Sequence, residues 1–507
     1  MTTRVKLSRE PPRVRRGTYT GPVPHRRSRL VPAKVRDELA ASLEALRRSL
    51  DLPEAFPADA QAEAERAARD VPLSGDDLAD LRDIEFLTID PAGSTDLDQA
   101  MHLERTATGA VLHYAIADVP AFVAPGRALE SETRRRGQTM YAPDGRVPLH
   151  PPVLSEDAAS LLPGRDRRAY VWRFVLDEGA RPRETGLTRA VVRSRRQWSY
   201  AEAQEAIDAG TAPPTLAAMP WFGRERAARE RERGGASLNV PESRVVAEGD
   251  GYRLERSESV PLEDWNAHVS LMTGMAAADI MLTGGVGILR TMPPAHPDDV
   301  ADFRSQTIAL GLPWRLDTPY GDYLRSLDRS PQARAVKEYA AGLFRGAGYV
   351  AFDGEAPEVT VQSAIGAPYA HTTAPLRRLV DRWVLVICHA LAEGRDVPTW
   401  ARESMFELPE LMSRSAQKAS QLSAGALDRV EAAVLHGREG EEFSATVLAV
   451  RGDGVRVQLQ RPPVDAKVRG LAAEPGATVR LRLVSADVDA GTVTFTPVAV
   501  SGESEPT

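Results

Sequence analysis

Three aspartates, Asp90, Asp96 and Asp98, fall within the segment Thr88–Ala100, which reads TIDPAGSTDLDQA. The residues before them, Phe86 to Ile89, form an apolar, β-prone run that predicts a short strand with Asp90 at its end. Pro91, Gly93 and two hydroxyl residues then predict a tight loop. If the chain is extended beyond that loop, the Asp96 and Asp98 side chains share one face, and the fold-back lets Asp90 face the same point. Carboxylates gathered in this way repel one another unless a cation sits between them. Oxygen ligands suit Mg2+, which keeps waters for a substrate phosphate. Such a centre supports phosphodiester hydrolysis, in which the ion binds the scissile phosphate, activates a water and stabilises the departing oxygen. Asp, Gly, Ser and Pro are also ordinary turn residues, so spacing alone leaves an acidic surface loop open as the alternative.

The elements that must position these residues divide the chain of 507 residues into a few units, as its length suggests. Residues 1–29 are a basic arm without periodicity, expected to be disordered. Residues 1–48 hold thirteen Lys and Arg against four acids, although the whole chain carries a net charge of −7. A basic arm of this kind attracts phosphate backbones, and a solvated tail is the equal alternative. Residues 30–82 read as helical. Val35, Leu39, Leu43, Leu46 and Leu50 make one apolar stripe, Ala58 to Asp70 is Ala/Glu/Arg-rich, and Ser74 could cap a third short helix up to about Asp83. Three such helices suit a helix-turn-helix-like nucleic-acid-binding module, and a plain helical dock against the next domain is the alternative. Residues 83–436 mix strand patterns (GAVLHYAIADVPAFV, YVWRFVLDE) with helical stretches at Ala201–Ala209, Leu262–Met281 and Pro375–Glu393, followed by a helical tail over Arg402–His436. That mixture predicts one large α+β domain. Residues 437–500 hold five short strand patterns with Gly, Pro and Asp turns, which predicts a small closed barrel of the OB type. Residues 501–507 read as a disordered tail.

No apolar run approaches the ~18 residues that span a bilayer, and the basic, Pro/Arg-rich start is unlike a secretory signal; the expected compartment is the cytoplasm. The single cysteine, Cys388, precludes an intrachain disulfide or a cysteine-based zinc site and is expected to be buried.

The aspartate segment resembles the signature of the RNB superfamily of exoribonucleases, the bacterial ribonuclease II and ribonuclease R family. Asp90, Asp96 and Asp98 match three of the family's aspartates, and the fourth falls on Gln99. A second segment, Tyr369–Val384 (YAHTTAPLRRLVDRWV), is similar to the family motif that carries a catalytic arginine near the scissile phosphate, which the match places at Arg377. Pro375 suits a first helical turn, and Thr372 or Thr373 can cap it. Arg377 in that turn would share an anion with the helix N-terminus. A third segment, Tyr141–Leu161, matches the family loop whose tyrosine stacks near the RNA 3′ end, which implies that role for Tyr141. Tyr200 resembles another position that contacts RNA near that end, with a core tyrosine the close alternative. A family glutamate falls on Asn266 in the best register, with Glu263 one turn earlier.

The resemblance implies an RNB catalytic domain followed by an S1-type RNA-binding barrel. It also implies one or two Mg2+ ions and a monomeric enzyme that degrades single-stranded RNA from the 3′ end, with no DNA preference. It does not extend to the N-terminus, where residues 1–82 are too few and too helical for the family's two cold-shock barrels. Gln99 and Asn266 motivate a second reading, an RNA-binding protein of the same fold that has lost hydrolysis. A DNA exonuclease or other metal-dependent phosphoesterase is a third.

Overall fold

The computed structural model describes residues 33–498 apart from 237–241, 249–250, 258, 329 and 452–453. The expected basic arm (1–29) and tail (501–507) lie outside the described residues.

The large α+β part is built on a six-stranded sheet that closes on itself. Its neighbours in order are Ala79–Asp80, Pro182–Ser199, Phe86–Asp90, Gln99–Thr106, Gly109–Ala117 and Asp166–Asp177. The long strand Pro182–Ser199 closes it, pairing antiparallel with Asp166–Asp177 and parallel with Phe86–Asp90. The sequence reading did not separate this strand. Its alternation is masked by arginines, whose charges are met by carboxylates: Arg189 by the buried Asp118 at 2.7 Å and Arg193 by Asp166 at 2.6 Å. The parallel register sets Asp90 opposite Ser199. Tyr200, the next residue, thus starts its helix beside the Asp90 end of the neighbouring strand.

Inside, Tyr114, Trp172 and Phe174 are fully buried with Leu103 and Leu112. Onto this core packs the helix Pro261–Gly284, which buries Leu262, Val269, Met272, Ala277 and Met281 along one face. Gly274 in that helix is required by close approach. A Cβ there would stand 2.2 Å from the Tyr369 ring and 2.5 Å from the Ala370 carbonyl. The Ala370 N–H donates to the Gly274 carbonyl at 3.0 Å, which fixes the segment leading to Arg377. A helical unit that the sequence reading also passed over, Pro297–Ala309, Tyr320–Ser326 and Pro331–Ala341, closes around its own small core of Phe303, Tyr323, Leu324 and Val336.

The C-terminal barrel has five antiparallel strands in the order Asp465–Arg469, Gly454–Leu459, Glu442–Arg451, Thr478–Asp487, Thr492–Pro497. Phe443 and Phe495 meet edge to face in its interior, 6.0 Å between centroids. The tail before it is two helices, Thr399–Ser404 and the long Leu408–Leu435.

At the N-terminal end the helical character holds, with helices Ala33–Ser49 and Ala58–Asp70, and the rest departs from expectation. The segment after Ser74 is a turn and a two-residue strand, Ala79–Asp80, recruited by Pro182–Ser199. The two helices do not share a core as a helix-turn-helix module would. Val35, Leu39, Leu43 and Leu46 pack with Ala426 and Val430 of the long helix and with the barrel interior, whereas Ala64 packs with Phe86 and Leu97 of the large α+β part. The apolar stripe is therefore a dock, chiefly against the long helix Leu408–Leu435, with the barrel behind it.

Glu431 on the long helix, 4% exposed, accepts the Asp465 N–H at 3.1 Å, and burial pushes its carboxyl up to about 8. The fold thus holds a proton that the unfolded chain, near 4.5, releases earlier. Stability from this group is present at low pH and is lost as pH rises from about 4.5 to about 8. Glu431→Gln keeps the acceptor and removes the charge. Melting curves should coincide with the parent near pH 5, with the variant pulling ahead by several degrees at pH 8. Parallel curves across that range would contradict this origin.

Candidate active site

Asp90 ends its strand with one carboxylate oxygen, Oδ2, buried and without a hydrogen-bond partner. Burial pushes its carboxyl up to about 7, against the pull of the Arg377 charge. Asp98 is 3% exposed and more strongly affected, pushed up to about 8 by burial. Its Oδ1 accepts the Leu376 N–H at 2.7 Å, and its Oδ2 accepts Arg377 Nε at 3.3 Å. The side chain of Arg377 is 47% exposed, so its terminal nitrogens face open space. The positive charge of Arg377 acts on Asp90, Asp98, Tyr114, Tyr141 and Tyr200 alike. Asp90, Asp98, Tyr141 and Tyr200, singled out from the sequence, thus lie within the field of one guanidinium.

The loop holding Arg377 differs from expectation. Pro375 to Arg377 is a turn, and the helix begins at Leu379. The expected threonine cap is not formed at Thr372, whose Oγ1 is buried without a partner; the Ala374 N–H is taken by the buried Asp381 Oδ1 at 2.7 Å, and Arg378 pairs with Asp381 at 2.9 Å. Gly137, at φ 73°, and its neighbours pin the other side: Leu379 N–H donates to the Gly137 carbonyl and Thr139 N–H to the Arg377 carbonyl. Arg377 thus acts from a braced turn instead of a helix N-terminus.

Tyr141 sits on the short hairpin Met140–Ala142 and Gly145–Val147. It is 51% exposed, with its hydroxyl donating to Asp96 Oδ2 at 3.2 Å. Tyr200 is half-buried and accepts Asn266 Nδ2 at 2.9 Å, while Asn266 Oδ1 is buried without a partner. Glu263 serves the helix start instead, accepting the Val260 N–H at 3.3 Å. Asn266 is thus the residue of the two that reaches the site. Gln99 turns its amide onto the Thr373 carbonyl at 2.5 Å, a tie to the Arg377 loop. One functional neighbour escaped the sequence reading. Arg146, from the same hairpin, donates to Asp96 Oδ1 at 2.7 Å and pairs with Glu156 at 2.7 Å. Its position after Gly145 in APDGRV was the available signal, since a turn there returns the chain past Tyr141.

The donor set suits a hard cation in type, being all carboxylate oxygen. Burial opposes the charge on both Asp90 and Asp98, and a bound cation would offset that cost. The orphaned Asp90 Oδ2 is the acceptor left free for it. Among the described residues no group of three or more His, Cys, Asp or Glu side chains forms a ready metal cage. Both oxygens of Asp96 are engaged, Oδ1 by Arg146 and Oδ2 by Tyr141.

The RNB domain matches residues 78–394, and the RNase II-type exonuclease C-terminal S1 domain matches residues 441–498. The chain belongs to the RNB family. It is 25% identical over 455 residues to Ribonuclease R of Aquifex aeolicus, covering 84% of this chain and 63% of that one. It is 26% identical over 421 residues to Ribonuclease R of Escherichia coli, at 77% and 51%. The match to human exosome complex exonuclease RRP44 is 28% over 348 residues, at 62% and 34%. The chain therefore spans less than two thirds of the length of these curated relatives. Its fold is that of Mycoplasma genitalium RNase R, solved with ribose-methylated single-stranded RNA (TM-score 0.81, 18% identity, 91% of this chain and 78% of that one). The fold is also similar to that of yeast Ssd1, a pseudonuclease (TM-score 0.67, 17% identity, 85% of this chain and 56% of that one). Among the described residues no helix is long and apolar enough to cross a membrane.

Proposed function

We propose that this RNB protein is a processive, sequence-independent 3′→5′ exoribonuclease that hydrolyses single-stranded RNA to nucleoside 5′-monophosphates with Mg2+. The observation that carries the reading is Arg377. Its guanidinium is anchored through Nε to the buried Asp98 and leaves its terminal nitrogens free. A fixed, half-exposed guanidinium of this kind matches two oxygens of a phosphodiester and stabilises charge that develops on it. Mg2+ held by Asp90, Asp96 and Asp98 would supply the activated water and neutralise the phosphate. Asp90 contributes a free acceptor oxygen, and Asp98 ties the metal side of the site to Arg377. Tyr141 presents an exposed ring at the rim, on which a terminal base can stack without its sequence being read. Tyr200, oriented by Asn266, stands at the other side near Asp90. The grip consists of phosphate contacts and ring faces, which carry no base-edge code.

A second reading, RNA binding without hydrolysis, is favoured by three observations. Gln99 is turned to Thr373, Asn266 stands where the family motif has a glutamate, and Arg146 occupies Asp96. One experiment separates the readings. A 5′-labelled single-stranded RNA with Mg2+ should shorten progressively and release nucleoside 5′-monophosphates. RNA that stays bound at full length would establish the binding protein instead. A DNA oligomer of the same sequence should remain intact, and equal shortening of DNA would redirect the assignment to a general phosphoesterase.

A further inference from the structure

Away from the catalytic residues, the helix Pro214–Glu232 and the residue after it carry Arg226, Arg229 and Arg233 at spacings of three and four, one face of the helix. They line a cavity of about 540 Å3, together with Arg181 and Arg183 from the preceding hairpin and Met272 and Met275 from the helix Pro261–Gly284. Five arginines line it against two acids, Glu232 and Asp279. Most of these charges have partners. Glu232 pairs with Arg229 at 3.0 Å and with Arg181 at 3.1 Å, and Arg183 pairs with Asp177 at 2.7 Å.

Arg226 is the exception. It is 5% exposed, and its one hydrogen bond runs from Nη1 to the Ala180 carbonyl at 3.0 Å. Its Nε is buried without a partner, as is that of Arg229. No carboxylate stands within ion-pair distance of Arg226 among the described residues. Burial and the charges of Arg233 and Arg229 pull its pKa down to about 10. A buried guanidinium without a carboxylate opposes folding, and an apolar side chain of that size would serve packing better. Cations near a helix C-terminus complement its dipole, which accounts for Arg229 and Arg233. It does not account for Arg226, more than a turn earlier and desolvated.

We infer that this cavity binds an organic phosphate of nucleotide size, its phosphate on Arg226 and Arg233 and its apolar part against Met272 and Met275. The volume falls in the range of small-molecule sites. The uncompensated guanidinium gives the charge-assisted contact that a phosphate dianion uses best. The methionine wall adapts to a flat ring without specifying it. The inference does not depend on the exonuclease reading.

Adenosine 5′-monophosphate is the probe, titrated calorimetrically into the full chain carrying Arg377→Ala, so that the catalytic pocket loses its own phosphate contact. One saturable site per chain is expected. Arg226→Met in that background should weaken binding at least tenfold and should not lower the melting temperature of the ligand-free protein. Arg233→Gln, away from the core, should weaken binding several-fold and covers the case in which the first variant fails to fold. Adenosine should bind at least tenfold more weakly than its monophosphate. The inference is overturned if the monophosphate does not bind, or if neither variant weakens it. Inorganic phosphate binding as tightly as the nucleotide would reduce the cavity to a plain anion site. Arg226-dependent binding of an RNA oligomer with none of the mononucleotide would make it a strand contact.

Discussion

Asp98→Asn will stop RNA cleavage and leave RNA binding in place. The expected loss in rate is on the order of 10^3 or more, the size seen when a charge-stabilising group is removed from a catalytic centre. In the protein as folded, Asp98 is held by the Leu376 N–H at 2.7 Å and by Arg377. Asparagine keeps the acceptor for the N–H and presents an amide where a negative oxygen faced the guanidinium. The site then loses one of two buried carboxylates, and Arg377 loses the anchor of its Nε. The fold should not suffer. Burial already opposes the charge on Asp98, so the neutral variant should match the parent in melting temperature to within a few degrees. Affinity for single-stranded RNA, measured with Ca2+ or without metal, should change less than threefold, because the proposed grip comes from phosphate contacts and ring faces. Cleavage at the parental rate would remove Asp98 from the chemistry. Loss of both cleavage and binding with a lowered melting temperature would make it a folding residue.

The parts of this site that were legible in the sequence are those whose signal is local. Asp90 was legible because a strand end followed by Pro91 and Gly93 is a short-range pattern, and the strand–loop geometry follows from it. Tyr141 and Arg377 were carried by motifs and land beside the same carboxylates. The barrel was legible because five strands with turn residues between them need no distant information. What failed was decided at long range. Pro375 reads as a helix start, but Asp381 takes the Ala374 N–H and holds the turn before the helix open. The stripe from Val35 to Leu46 correctly announces a buried helix face, yet nothing in it says that the burying surface is the helix Leu408–Leu435 and the barrel behind it, nearly four hundred residues later. Gln99 falls where the family motif has its fourth aspartate, and only the fold shows that its amide donates to the Thr373 carbonyl. Arg146 shows the same limit. An arginine after a glycine turn is unremarkable until the hairpin folds it onto Asp96.

Arg377→Ala should lower the rate of cleavage on the order of 10^3-fold or more, within the range an arginine contributes to phosphoryl transfer. The informative variant is Arg377→Lys. Lysine keeps the charge but cannot donate to Asp98 and reach two phosphate oxygens at once, because its ammonium is a single point on a flexible stem. If fixed geometry is what matters, the lysine variant should stay within about tenfold of alanine. If charge alone matters, it should recover most of the parental rate. The structure favours geometry, since the turn that carries Arg377 is braced on both sides by backbone hydrogen bonds from Thr139 and Leu379, and its guanidinium is fixed at one end by Asp98. Single-turnover rates at saturating RNA report the chemical step directly, and the apparent affinity should move by less than the rate in both variants. The adjacent Arg378 supplies the contrast. It is half-buried, paired with Asp381 and turned into the loop's own scaffold. Arg378→Ala should therefore lower the melting temperature markedly, because it leaves the Asp381 carboxylate buried without its counter-charge. A protein in which Arg378→Ala is benign to folding and Arg377→Ala is not would have its two neighbouring arginines in exchanged roles, and the phosphate would then have to be sought on the other side of the turn.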